Sequence, residues 1–84
     1  MKIARIIVPQ DLYVYPDNRS DEISELQKGD IILYDDTFCL SYTEDDDNFE
    51  GPDILRSWVA IFEGRVGWIS AWDKEEPAGI EVIS

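Results

Sequence analysis

Two short stretches, Lys28-Gly29-Asp30-Ile31-Ile32 and Gly64-Arg65-Val66-Gly67-Trp68-Ile69, limit the folds open to this chain more than anything else in it. In each, a glycine able to turn sharply is followed at once by residues of high strand preference. Trp58-Val59-Ala60-Ile61-Phe62 lies between them. Strands that succeed one another so closely, with glycines at the corners, predict a small, strongly bent all-β barrel. The 84 residues leave room for a single domain, 1–84, with one modest core. A chain of this size buries only about 60–65% of the surface its unfolded form exposes.

The remaining segments read as follows. Ile3 to Val8 is apolar and β-branched and closes at Pro9, a first strand. In Leu12-Tyr13-Val14-Tyr15, alternation puts Leu12 and Val14 on one face and the two tyrosines on the other. Residues 16–21 are turn chemistry, and Asp21 to Lys28 reads as an irregular hairpin arm in preference to a one-turn helix. Ile31 to Tyr34 is a continuous apolar run, suited to a strand packed on both sides. Asp35 and Asp36 interrupt it, and either the strand continues past a bulge into Thr37–Thr43, the preferred reading, or a small extra hairpin forms. Residues 44–51 are a solvated acidic loop, and Pro52 to Arg56 predicts a helical turn. Ser57 to Glu63, a tight turn at Glu63-Gly64-Arg65, and Arg65 to Ser70 form a hairpin. Ala71-Trp72-Asp73 makes a short turn, and Ile80 to Ile83 is the last strand. The stretch 35–56 stands out as a long acidic insertion.

Charge narrows the partners. Nineteen acids against seven bases give a formal charge of −12. Such a surface repels nucleic-acid phosphates and anionic lipid, so direct nucleic-acid binding is not expected, and a basic protein is the natural partner. No apolar run approaches the ~18 residues of a membrane span. The N-terminal apolar stretch is broken by Arg5 and Pro9, unlike a secretion signal, which points to the cytoplasm. With no histidine and a single cysteine, the chain lacks the ligands for zinc or haem and the pairing for Cys–His catalysis. No cofactor is expected, and Cys39 reads as a small buried apolar residue.

Leu12-Tyr13-Val14-Tyr15, a polar arm, Glu25-Leu26-Gln27-Lys28-Gly29-Asp30, Trp58, and Gly64-Arg65-Val66-Gly67-Trp68-Ile69-Ser70, in that order, resemble the bacterial type of Src-homology-3 (SH3) domain. The pattern of that family runs L-x-V, a turn-rich arm, L-x-K-G-D, W-x-x-V and G-x-x-G-W-V. The likeness covers nearly all of the chain outside 35–56. It implies a five-stranded SH3-like barrel, with the acidic insertion between the second and third core strands, acting as a non-catalytic protein- or peptide-binding module. Leu12, Val14, Ile32, Ala60 or Ile61, and Ile69 would fill the core. Whether Trp58 aligns with the family's groove tryptophan or sits one position off it turns on which of Ala60 and Ile61 is the buried anchor. A one-residue slip reverses its face. Where eukaryotic members carry a proline and a tyrosine after the last long strand, this chain has Ser70-Ala71-Trp72-Asp73.

Two candidate sites follow. Tyr13, Tyr15, Trp58, Trp68 and Trp72 would make an aromatic platform for a partner. Glu44, Asp45, Asp46, Asp47, Glu50 and Asp53 would form an acidic docking loop. The loop partly mimics a calcium-binding pattern from Asp46, but its twelfth position is Ser57, where a bidentate glutamate is needed, so no metal is expected. Carboxylates are plentiful, yet no nucleophile elbow or phosphate loop accompanies them, and enzymatic activity is not expected. The alternatives to peptide binding are an acidic decoy that imitates nucleic acid, of the sort viruses encode, cell-wall peptide recognition, and subunit packing through an exposed edge at 37–43.

Overall fold

A computed structural model describes residues 1–16, 21–43 and 53–84, with no account of the side chains of 41–43 and 53. Seven antiparallel strands occupy them: β1 (Lys2–Ile6), β2 (Gln10–Tyr13), β3 (Glu22–Leu26), β4 (Ile31–Thr43), β5 (Asp53–Phe62), β6 (Arg65–Trp72) and β7 (Ile80–Val82). They form one sheet in the order β3-β2-β6-β5-β4-β1-β7. The strand count is seven, not five, because the arm read as irregular pairs as a ladder: Gln10 faces Leu26, Asp11 faces Glu25 and Leu12 faces Ser24.

The sheet curls into a half-barrel. Ala4 and Ile6 of β1, Leu12 of β2, Leu26 of β3, Ile32 and Tyr34 of β4, Trp58 and Ala60 of β5, and Ile69 and Ala71 of β6 belong to one buried cluster. Residues from β3, at one edge, and from β1, near the other, meet in that cluster only if the sheet bends round on itself. Backbone bonds stitch the bend, since Gly29 N donates to Ile6 O and Ile6 N to Asp30 O, each at 2.8 Å.

Two glycine positions explain how the strands turn and approach. Glu63 and Gly64 both have positive φ, 50° and 76°, and join Phe62 to Arg65. That is the two-residue mirror-image turn whose twist suits a β-hairpin, and it places Trp58 opposite Ile69 and Ala60 opposite Gly67. At Gly67 the β2–β3 hairpin crosses β6 closely. A Cβ there would lie 2.7 Å from both Leu12 Cγ and the carbonyl oxygen of Tyr13, and 2.9 Å from Ile23 Cδ1.

Several sequence expectations are corrected. Ile31 to Tyr34 is not buried on both sides: Ile32 and Tyr34 point inward, while Ile31 and Leu33 point outward and are exposed. Val14 is exposed, since β2 ends at Tyr13 and the backbone turns, with Val14 N donating to Asp21 O. The insertion 35–56 is largely strand: 35–43 extend β4, and 53–56 begin β5 where a helical turn was expected. Residues 44–52 lie outside the described residues. The bulge at the aspartates is present, with three residues of β4 between Tyr34 and Phe38 set against Val59 alone. Asp35 Oδ1 accepts the Thr37 amide at 2.9 Å and closes the bulge as a local turn. Its carboxyl is held below the usual aspartate value, first by that backbone bond. Ala71 and Trp72 continue β6 instead of turning, and Cys39 is an exposed free thiol.

Candidate functional site

The register of β5 sorts the predicted aromatics. Ala60, not Ile61, is the buried anchor, so Trp58 shares the inner face and is only 1% exposed. Phe38, its cross-strand partner, meets it edge to face with ring centroids 6.3 Å apart. The Arg56 guanidinium covers the Phe38 ring at 5.2 Å while Nη1 donates to the Lys74 carbonyl at 2.8 Å. Trp58 is therefore a core residue at the base of the long β4–β5 hairpin and is removed from the aromatic platform.

Trp68 lies on the opposite face. It stands beside Val59 on β5 and Tyr13 on β2, giving one outer row of Val59, Trp68 and Tyr13. The adjacent outer row runs across four strands, Ile3, Leu33, Ile61 and Val66. Leu33 and Val66 are exposed and the other residues of the two rows half-buried. The two rows form a continuous apolar band. Trp72 stands on the same outer face four residues beyond Trp68, 38% exposed and opposite Leu55. Between the two indoles, Ser57 and Ser70 pair across the strands through hydroxyls 2.7 Å apart. Tyr15 is exposed beyond the end of β2.

Carboxylates end the band. Asp11 pairs with Glu25, and Glu22 faces Tyr13, so three acids border the outermost ring. The Tyr13 hydroxyl contacts Asp11 Oδ2 at 3.4 Å. Burial, then the Asp11 charge, raises the Tyr13 phenol above its ordinary value. Asp11 also raises the Glu22 carboxyl, through a hydrogen bond and like-charge repulsion. This end of the face is a desolvated phenol beside mutually repelling acids, an arrangement relieved by an approaching cation. Of the acidic docking loop, Glu44, Asp45, Asp46, Asp47 and Glu50 lie outside the described residues, and Asp53 is described only as the first residue of β5.

Leu33, Val59, Ile61 and Val66 were not foreseen as site residues. Their signal was the period-2 parity of the hairpin, which puts Leu33 opposite Ile61 once Ala60 is fixed as the inward anchor. Compared with known proteins, the chain matches no family model, no curated protein and no solved structure. No helix among the described residues is long and apolar enough to cross a membrane.

Proposed function

We propose that this chain is a non-catalytic, SH3-like protein-binding module that takes a basic protein or peptide on the outer face of β5 and β6. In this reading β2 is the family's first core strand, β3 belongs to its polar arm, and β4 and β5 are its second and third core strands. The acidic stretch between β4 and β5 is then the insertion between the second and third core strands. The supporting observation is the pair of adjacent apolar rows ended by Asp11, Glu22 and Glu25. Apolar burial at Trp68 and Tyr13 would supply affinity, and the carboxylates would steer a basic partner and make association salt-sensitive. The test is affinity capture from the native host's lysate with the wild type and with Trp68→Ala. The reading expects a partner that the variant no longer retains although its circular dichroism is unchanged. Equal capture by both would overturn it.

A second reading, an acidic decoy of nucleic acid, draws support from the row of carboxylates along β2 and β3, where Asp11 and Glu25 lie close enough to raise the Glu22 carboxyl. Competition by duplex DNA for the captured partner, at two salt concentrations, separates the readings. A decoy is displaced by DNA, whereas a partner held by the apolar band is not.

A further inference from the structure

Away from the outer face, a cleft of about 200 Å³ opens at the end of the half-barrel where the β4 bulge meets the segment after β6. We propose that it is a binding site for one basic side chain, a lysine or an arginine of the partner protein. This rests on the reading of the chain as a binding module for a basic partner, and it names the anchor. The volume falls below the ~300–1,000 Å³ of drug-sized ligand pockets and suits a single side chain.

Tyr34 and Trp58 line the cleft from the core, Lys2 and Asp36 from one side, and Glu75 and Glu76 from the other. Tyr34 is 3% exposed, and its hydroxyl has no hydrogen-bond partner among the described residues. It is not sealed in, because Arg56 Nε alone is both enclosed and unpartnered among those residues. The Tyr34 hydroxyl therefore opens onto the cleft it lines, a buried polar group waiting for a donor or acceptor.

The rim charges identify the occupant. Lys2 Nζ stands 3.7 Å from Asp36 Oδ2 and partly neutralises it. Glu75 and Glu76 have no ion pair among the described residues. Two carboxylates without a counter-charge and a free phenol suit an ammonium or guanidinium whose alkyl stem lies along the aromatic floor. An anion would meet repulsion, and a neutral apolar group would bury the phenol unpaired.

The segment that carries the two glutamates is fastened at several points, so little ordering accompanies binding. Ile54 N donates to Asp73 Oδ1 at 3.0 Å, and Asp73 N to Ile54 O at 2.8 Å. Arg56 Nη1 holds the Lys74 carbonyl, Gln10 Nε2 holds the Ala78 carbonyl at 2.9 Å, and Gly79 O accepts the amides of Ile7 and Val8. A rim held in place before the ligand arrives loses less affinity to conformational entropy.

The test is a titration of the isotope-labelled full chain with Nα-acetyl-arginine methylamide and Nα-acetyl-lysine methylamide, with the citrulline analogue as neutral control. Backbone amide shifts are read at about 50 mM and about 300 mM salt. The expected result is saturable shifts at residues 34–36, 58, 75 and 76 for the two cations, weaker at high salt and absent for citrulline. The double variant Glu75→Gln/Glu76→Gln should weaken binding about three- to tenfold. Tyr34→Phe, which keeps the ring, should weaken it about threefold. Shifts centred elsewhere, equal shifts with citrulline, or an unchanged affinity in the double variant would overturn the proposal. A partner that still depends on Trp68 while the cleft proves inert would remove the anchor and leave the outer-face reading standing. A cleft that binds both cations while Trp68→Ala captures as well as the wild type would do the reverse.

Discussion

Trp58 and Trp68 sit one register step apart on the β5–β6 ladder, Trp58 opposite Ile69 and Trp68 opposite Val59, and their environments are opposite. Trp58 is sealed inside the curled sheet, while Trp68 lies half-buried on its outer side. Neither ring chemistry nor strand preference separates them. Parity does, since successive side chains on a strand point to opposite faces and the sheet curls round the face that holds Trp58. The concave face holds the fold together with residues from six strands, and on the convex face Tyr13, Val59, Ile61 and Trp68 are half-buried and Leu33 and Val66 exposed, while Leu55 and Ser57 further along β5 are buried. Alternate positions of the same two strands thus differ in burial, and the proposed binding face takes the outward ones.

The sharpest way to break that division is Trp58→Ala. Removing a fully buried indole that also carries Phe38 and the Arg56 layer should cost about 3–5 kcal/mol. In a domain this small that is most of the stability to be expected. The variant should lose its cooperative thermal transition and its capture of any partner together. A variant that keeps its melting temperature and loses only binding would mean that Trp58 faces a ligand after all.

Gly67→Ala probes the seam where the β2–β3 hairpin crosses β6. The added methyl would press on the Tyr13 carbonyl, which is backbone and cannot swing aside, so the strands must part. Overpacking of this kind typically costs about 1–3 kcal/mol. Chemical denaturation should report a lowered midpoint, with Tyr13 and Trp68 displaced from each other because that seam carries their pairing. An unchanged midpoint would mean the hairpin does not press on β6.

The sequence made the outline of this fold readable wherever its cues were local. Glu63-Gly64 marked the hairpin, Leu12, Ile32 and Ile69 are core as expected, and of the two candidate anchors Ala60 is the buried one. What stayed hidden depended on faces and partners. The run Ile31 to Tyr34 does not say whether one side or both are covered, and in the fold Leu33 is exposed while Ile32 is buried. Trp58 could be assigned to the core only after Ala60 was known to point inward. The cleft lay beyond reach because Lys2, Tyr34, Trp58 and Glu75 are far apart in the chain, and curling of the sheet brings them together.

Trp68→Ala is the complementary substitution to Trp58→Ala. A half-buried ring on the outer face should contribute less than about 1 kcal/mol to folding once its partial exposure is allowed for. As the centre of a binding band it should change partner affinity by about tenfold or more, the scale of an interface hot spot. Paired melting and binding measurements on the two tryptophan variants give the division directly: Trp58 moves both quantities, Trp68 only the second. Equal loss of stability in both variants would show that the outer row belongs to the core.

The smallest effects come from two exposed acids that differ in sign. Glu22 has a raised pKa because of Asp11, so its ionised form disfavours the folded state above that folded pKa. The penalty disappears as pH falls and the native protein takes up the proton before the unfolded chain does. Glu22→Gln should therefore raise the melting temperature slightly at neutral pH, with no gain once the carboxylates are protonated. Asp35 is lowered, chiefly by the Thr37 amide, so its contribution is present above the unfolded pKa and is lost as pH falls through the folded one. Asp35→Ala should lower the melting temperature slightly at neutral pH and do nothing in acid. Melting curves of the two variants against pH should approach the wild-type curve from opposite sides, Glu22→Gln from above and Asp35→Ala from below. If Glu22→Gln proved neutral at every pH, the repulsion at the edge of the outer band would be too weak to favour a basic partner.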